Sequence, residues 1–255
     1  MTIESLPKSG RLERILSGVD YFKPVATRRG FMQKLLLAGG GAVAATGLGK
    51  VANVFASDPV IDFGNAAVGA ERIAVAFYSN ALGETSSFGI AADLAKGTLL
   101  NSGHRVYFDA ARNQEDNHRS TLESLGLDFP FKVFEFPAGT FDTATAMLAF
   151  GEKLEVVFIG AYLGAILAAA SAANSTIAVV AAEICGVESS HRILIRDIAG
   201  DNPPNDRFYE GGNFDSFSVP APNSVLGNAG TRSVVYASAG DAVNALLALG
   251  IKPIS

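Results

Sequence analysis

Glu115-Asp116-Asn117-His118 and Glu188-Ser189-Ser190-His191 decide the fold, because these two Glu-x-x-His words together use two of the three histidines in the chain. In a helix, residues i and i+3 lie on one face about a turn apart, so each word offers a carboxylate oxygen and an imidazole nitrogen to one point in space. That pairing is a chelate for a metal ion. Chance places only about 0.1 such words in a chain with this many glutamates and histidines. Two of them, each on a stretch of helical pattern, point to a metal centre built between helices.

Two chelating helices leave a pair of ions short of ligands, so the other two helices should each add a carboxylate. Glu71 and Glu155 are the candidates. Each is followed seven positions later by a tyrosine, Tyr78 and Tyr162, about two helical turns along the same face. The chain therefore reads twice in the order Glu, Tyr, Glu-x-x-His, which is the pattern of a pseudo-two-fold site. His104, Glu84, Glu123, Glu152, Glu183 and Glu210 fit no slot in it and are expected at the surface or at helix caps.

Outward from these words, helical periodicity dominates from Glu71 to Asp197, with few prolines and no strand-type alternation. Four principal helices are predicted, from Ala66 to Leu82, Gly103 to Leu125, Asp142 to Ala173 and Ser175 to Ile198, with a shorter helical piece from Phe88 to Leu100. The stretch from Gly126 to Thr140 carries Phe129-Pro130-Phe131 and Phe136-Pro137-Ala138-Gly139, reads as non-helical, and is long enough to cross the length of a bundle. Four helices with one long crossover describe an all-α ferritin-type bundle. Val156 to Ala173 has no charge and contains Gly160-x-x-x-Gly164, features shared by membrane helices and central bundle helices. Glu155 directly before it and its many alanines favour the bundle, so no stable membrane span is expected in the mature chain.

The ends of the chain read differently. Thr27-Arg28-Arg29-Gly30-Phe31-Met32-Gln33-Lys34 resembles the twin-arginine export signal and precedes an apolar run from Leu35 to Leu48, too short to span a membrane. Val54-Phe55-Ala56 supplies small residues for cleavage ahead of Ser57. The expected layout is a signal peptide and leader over 1–56, the bundle over 57–200, and a loop-rich extension over 201–255 that packs on the bundle, with only Asp241 to Leu249 helical. Periplasmic or extracellular localisation follows from the signal. The twin-arginine route carries folded proteins, which suits a metal loaded before export. Cys185 is the only cysteine, so no intrachain disulfide can form, and it reads as a small buried hydrophobe. A net charge of −5 with no basic cluster in the mature chain argues against nucleic acid as a partner.

Local wording carries a family resemblance. Leu154-Glu155 followed by Gly160-Ala161-Tyr162-Leu163-Gly164-Ala165, Asp116-Asn117-His118 with Leu122 and Leu125-Gly126, and Gly186-Val187-Glu188-x-x-His191 with Arg196 are similar to the exported, desiccation-associated branch of the ferritin-like superfamily. The resemblance spans Ala66 to Ala199. It implies two iron or manganese ions, with zinc also compatible; Glu115 and Glu188 as bridging ligands, Glu71 and Glu155 as terminal ones, and His118 and His191 as nitrogen ligands. Tyr78 and Tyr162 would pack beside them. Four carboxylates and two divalent ions cancel in charge, so the loaded centre can be buried. The implied function is an oxidoreductase acting on dioxygen or peroxide, with metal ions, a small oxidant and a second copy of the chain as expected partners. The alternative is a stress- or desiccation-protective structural protein without turnover.

Overall fold

The computed structural model describes residues 58–95, 97–202, 204–205 and 235–254. The leader expected over 1–56, Glu210, and most of the extension expected over 201–255 lie outside the described residues. Four long helices carry the fold: α1 (Pro59–Leu82), α2 (Ser102–Ser124), α3 (Ala144–Ser171) and α4 (Ser175–Ala199). Each opens on a polar cap. Asp58 accepts from the Val60 N–H with Pro59 in the first turn, and Asn101, Thr143 and Asn174 accept from the N–H groups of His104, Ala146 and Ile177. The Asp58-Pro59 pair is why α1 starts earlier than the expected Ala66. Gly83 (φ 73°) and Gly200 (φ 87°) close α1 and α4 in the left-handed conformation. The turn between α3 and α4 is so short that the two must run antiparallel, and it holds Ala173 at φ 54°.

Burial patterns follow from these helices' places. On α2, the buried residues Phe108, Ala111, Glu115 and Leu122 form one stripe at helical spacing, so Glu115 occupies a position where an apolar residue is expected. The outer face of α2 is charged, with Arg119 bridging Asp116 and Glu123, and Arg112 pairing with Glu84 and Asp109. By contrast α3 is apolar almost all round because it packs against α1, α4 and a fifth helix, α5 (Ala239–Ala248). It is the described helix long and apolar enough to cross a membrane, and 56% of its apolar window is buried inside the protein.

The expected helical piece from Phe88 to Leu100 is not a helix; only Ala91–Asp93 forms a single 3-10 turn. Its backbone near Phe88 and Gly89, and the Asp93 side chain, are engaged elsewhere. Ser86 Oγ accepts from the Phe88 and Gly89 N–H groups, Gly89 bridges to Phe134, and Asp93 accepts from the Phe136 N–H. The crossover after α2 contains strand β1 (Val133–Glu135), which pairs antiparallel with β2 (Lys252–Ile254) at the far end of the chain. Leu127 and Phe129 of the crossover lie over Gly64 and Gly69 of α1, where an added Cβ would stand 2.7 Å from each side chain. Arg72 pins this seam from within, donating to the carbonyls of Phe129 and Phe131 and to Glu123 and Asp128.

Gly164 lies at a close approach. What approaches it are the carbonyl oxygen of Tyr236, 2.6 Å from a Cβ placed there, and the ring of Phe63 of α1 at 2.7 Å. The small residue admits the segment that leads into α5.

Candidate metal centre

All six residues singled out by their spacing converge between the four helices. Glu71 comes from α1, Glu115 and His118 from α2, Glu155 from α3, and Glu188 and His191 from α4. Their potential ligand atoms fall into two overlapping groups, each within 4.8 Å: Glu71, Glu115, His118 and Glu188 in one, Glu115, Glu155, Glu188 and His191 in the other. Glu115 and Glu188 belong to both. The Nδ1 of His118 lies 3.1 Å from Glu115, 3.4 Å from Glu71 and 3.7 Å from Glu188. The Nδ1 of His191 lies 2.8 Å from Glu115, 3.3 Å from Glu188 and 4.0 Å from Glu155. In both words, therefore, Nδ1 faces the carboxylates, as the i, i+3 geometry requires.

The two tyrosines cross over. Tyr78 of α1 donates at 2.6 Å to Glu155 of α3, and Tyr162 of α3 donates to Glu71 of α1. Each Glu-x6-Tyr pair thus serves the carboxylate of the other half, a link that spacing alone does not show. In both glutamates the tyrosine occupies one oxygen and leaves the second without a hydrogen bond. Glu71 Oε2, Glu115 Oε1, Glu155 Oε2 and Glu188 Oε1 are all buried and accept none. Leaving a buried carboxylate uncompensated costs roughly several kcal/mol per charge. Four such oxygens gathered around two imidazoles are a donor set for cations, and the residues fit a metal.

The electrostatics show the same strain from the other side. Burial, and then the charge of Glu188, raises Glu71 above the usual carboxylate range; burial and the neighbouring glutamates raise Glu155 and Glu188 likewise. Burial opposes charge on the histidines, but the carboxylates of Glu115 and Glu71 facing its Nδ1 push His118 up to about 10, and those of Glu115 and Glu188 push His191 up to about 11. Without a cation, protons take the place of positive charge. Burial also raises Tyr78 and Tyr162, keeping both hydroxyls protonated and able to donate.

Several neighbours were not legible from spacing. Gln114 Oε1 lies 2.8 Å from His191 Nε2, an approach that exists only because α2 and α4 face each other. The Tyr78 ring meets His191 edge-on with centroids 5.7 Å apart. Glu152, expected at the surface, is instead largely buried: the side chain is 13% exposed and accepts from Arg192 at 3.1 Å and Arg196 at 2.8 Å. Two buried arginines on α4 draw it inward. Glu84 and Glu123 are tied to arginines at the periphery, while His104 sits at the start of α2, beside its Asn101 cap. Cys185 is buried on α4.

No curated protein and no solved structure matches the chain. Residues 60–201, more than half of the sequence, match the family model described as the ferritin-like domain, and the chain belongs to that family.

Proposed function

We propose that this is an exported ferritin-like protein that holds two iron or manganese ions in this centre and reacts with dioxygen or peroxide there. The observation that supports the reading is the set of four buried glutamate oxygens without a hydrogen bond around two inward-facing Nδ1 atoms. Glu115 and Glu188, common to both groups, suit bridging; Glu71 and Glu155 suit the ends; His118 and His191 give one nitrogen per ion. Such oxygen-rich ligation favours iron or manganese, with zinc also compatible. When bound, these ions supply Lewis acidity and one-electron redox chemistry.

The protein's own residues supply the setting. Tyr78 and Tyr162 each hold one oxygen, of Glu155 and of Glu71, and the second oxygen of Glu71 stands 3.4 Å from His118 Nδ1. Burial of the four glutamates excludes bulk water, while His118, with 14% of its side chain exposed, is the least covered of the six. That side admits a small oxidant rather than a bulky substrate. The apolar cavity between α1 and α5, lined by Ala66, Ile73, Phe129, Phe134, Val243 and Leu246 among others, contains none of the six residues and belongs to the core. The twin-arginine wording at Arg28-Arg29 supports export of the folded, loaded protein.

Metal analysis of protein recovered from outside the cytoplasm, followed by assays of ferrous oxidation and peroxide consumption, tests the reading. About two ions per chain with turnover are expected. Full occupancy without turnover would favour the protective structural role; no bound metal would end both the di-metal and the redox readings.

A further inference from the structure

The two halves of the centre match in ligands but not in what lies behind their histidines. His191 is buried, with a 4% exposed side chain, and its outward Nε2 stands 2.8 Å from Gln114 Oε1. His118 is 14% exposed, and its Nε2 has no partner among the described residues. A histidine that ligates through Nδ1 carries its remaining proton on Nε2, so a group that accepts that proton fixes both the tautomer and the ring plane. Gln114 is placed to do this from α2 for a ring carried by α4. It stands beside Glu115, so one turn of α2 supplies both a carboxylate to the centre and the restraint on the opposite histidine. The Tyr78 ring, edge-on to His191, limits rotation on a further side.

We propose that Gln114 is a positioning residue that holds His191 with Nδ1 turned to the glutamates, so that the two metal positions are unequal and the His191 half binds its ion more tightly. The inference deepens the di-metal reading and rests on it. It also assigns the weaker position to the more exposed half.

Zinc(II), being diamagnetic, serves as the probe. Titration of the metal-free protein against a chelator of known affinity should show two unequal steps; His191→Ala removes the tighter one and His118→Ala the weaker. Gln114→Leu should weaken the tighter step about tenfold and leave the other unchanged, the scale expected when a histidine loses such a partner. Gln114→Glu, which still accepts from Nε2–H, should restore it. In zinc-loaded protein labelled with nitrogen-15 in histidine, the His191 Nε2–H proton should be visible and slow to exchange in wild type, and fast in Gln114→Leu. Equal steps in wild type, an unchanged tighter step in Gln114→Leu, or equal losses in the Leu and Glu variants would each overturn the inference while the di-metal reading stands. A wild-type protein that takes up no zinc, iron or manganese would remove that reading and the inference with it.

Discussion

Two kinds of buried glutamate behave oppositely in this protein. Glu71, Glu115, Glu155 and Glu188 each keep one oxygen without a hydrogen bond, whereas Glu152 shares one oxygen between Arg192 and Arg196. Charge compensation is internal for Glu152 and must come from a cation or protons for the other four. Glu188→Ala, which removes a carboxylate common to both groups, is therefore expected to weaken metal binding by at least about tenfold, and His118→Ala to lose the ion on its own side. Glu152→Ala is expected to leave metal content unchanged yet lower stability by about 2 kcal/mol, less than a full buried-pair loss because Arg196 retains Asp201 and the Pro204 carbonyl. Metal analysis alongside urea denaturation of all three variants separates the two roles. Loss of metal in Glu152→Ala at full stability would contradict the assignment.

At the scale of elements, α3 is the point where the bundle and the C-terminal segment meet. Its apolar length buries against α1 and α4 on one side and α5 on another, and Gly164 is where the chain before α5 comes closest. A methyl group there collides with a backbone carbonyl, which cannot rotate aside as a long side chain could. Gly164→Ala is expected to cost roughly 1–3 kcal/mol through overpacking and to loosen α5 ahead of the four-helix core. Limited proteolysis would show this as cleavage before Ala239 at a protease level that leaves wild type intact. Unchanged cleavage and stability would mean that Tyr236 does not sit against α3 as described.

For the whole molecule, the centre links folding to pH and metal. In the metal-free protein Glu71, Glu155, Glu188, His118 and His191 all titrate higher when folded, the histidines near 10 and 11. The folded state then binds more protons than the unfolded chain, and stability falls as pH rises. For the histidines this contribution is complete below about 6.5, their unfolded value, and disappears as pH climbs through 10 to 11. For the three glutamates it is complete below about 4.3 and is lost on passing their raised values. Denaturation in chelator at pH 6, 7.5 and 9 should show declining stability, and added metal should raise stability most at pH 9, where its binding displaces the fewest protons. Metal-free protein that grows more stable from pH 6 to pH 9 would refute this coupling.

The helical words were legible because their geometry is local. Glu115 with His118, and Glu188 with His191, need only the 3.6-residue turn to form chelates, and four capped apolar periodicities with one long crossover specify the bundle. Phe88 to Leu100 misled for the same reason: its helix-compatible composition could not reveal that Ser86 and Phe134 would engage its backbone and Phe136 the Asp93 carboxylate. The pairing of β1 with β2 joins segments over a hundred residues apart through three-residue strands, too short for a period to register. The crossed tyrosine bonds, the Gln114 contact and the inward turn of Glu152 likewise depend on which helix faces which. Sequence alone determined the candidate ligand residues, their helices and the bundle class, since these follow from spacing within a helix. Only the tertiary structure decided which oxygens remain free and which histidine is braced, because those are outcomes of packing between helices.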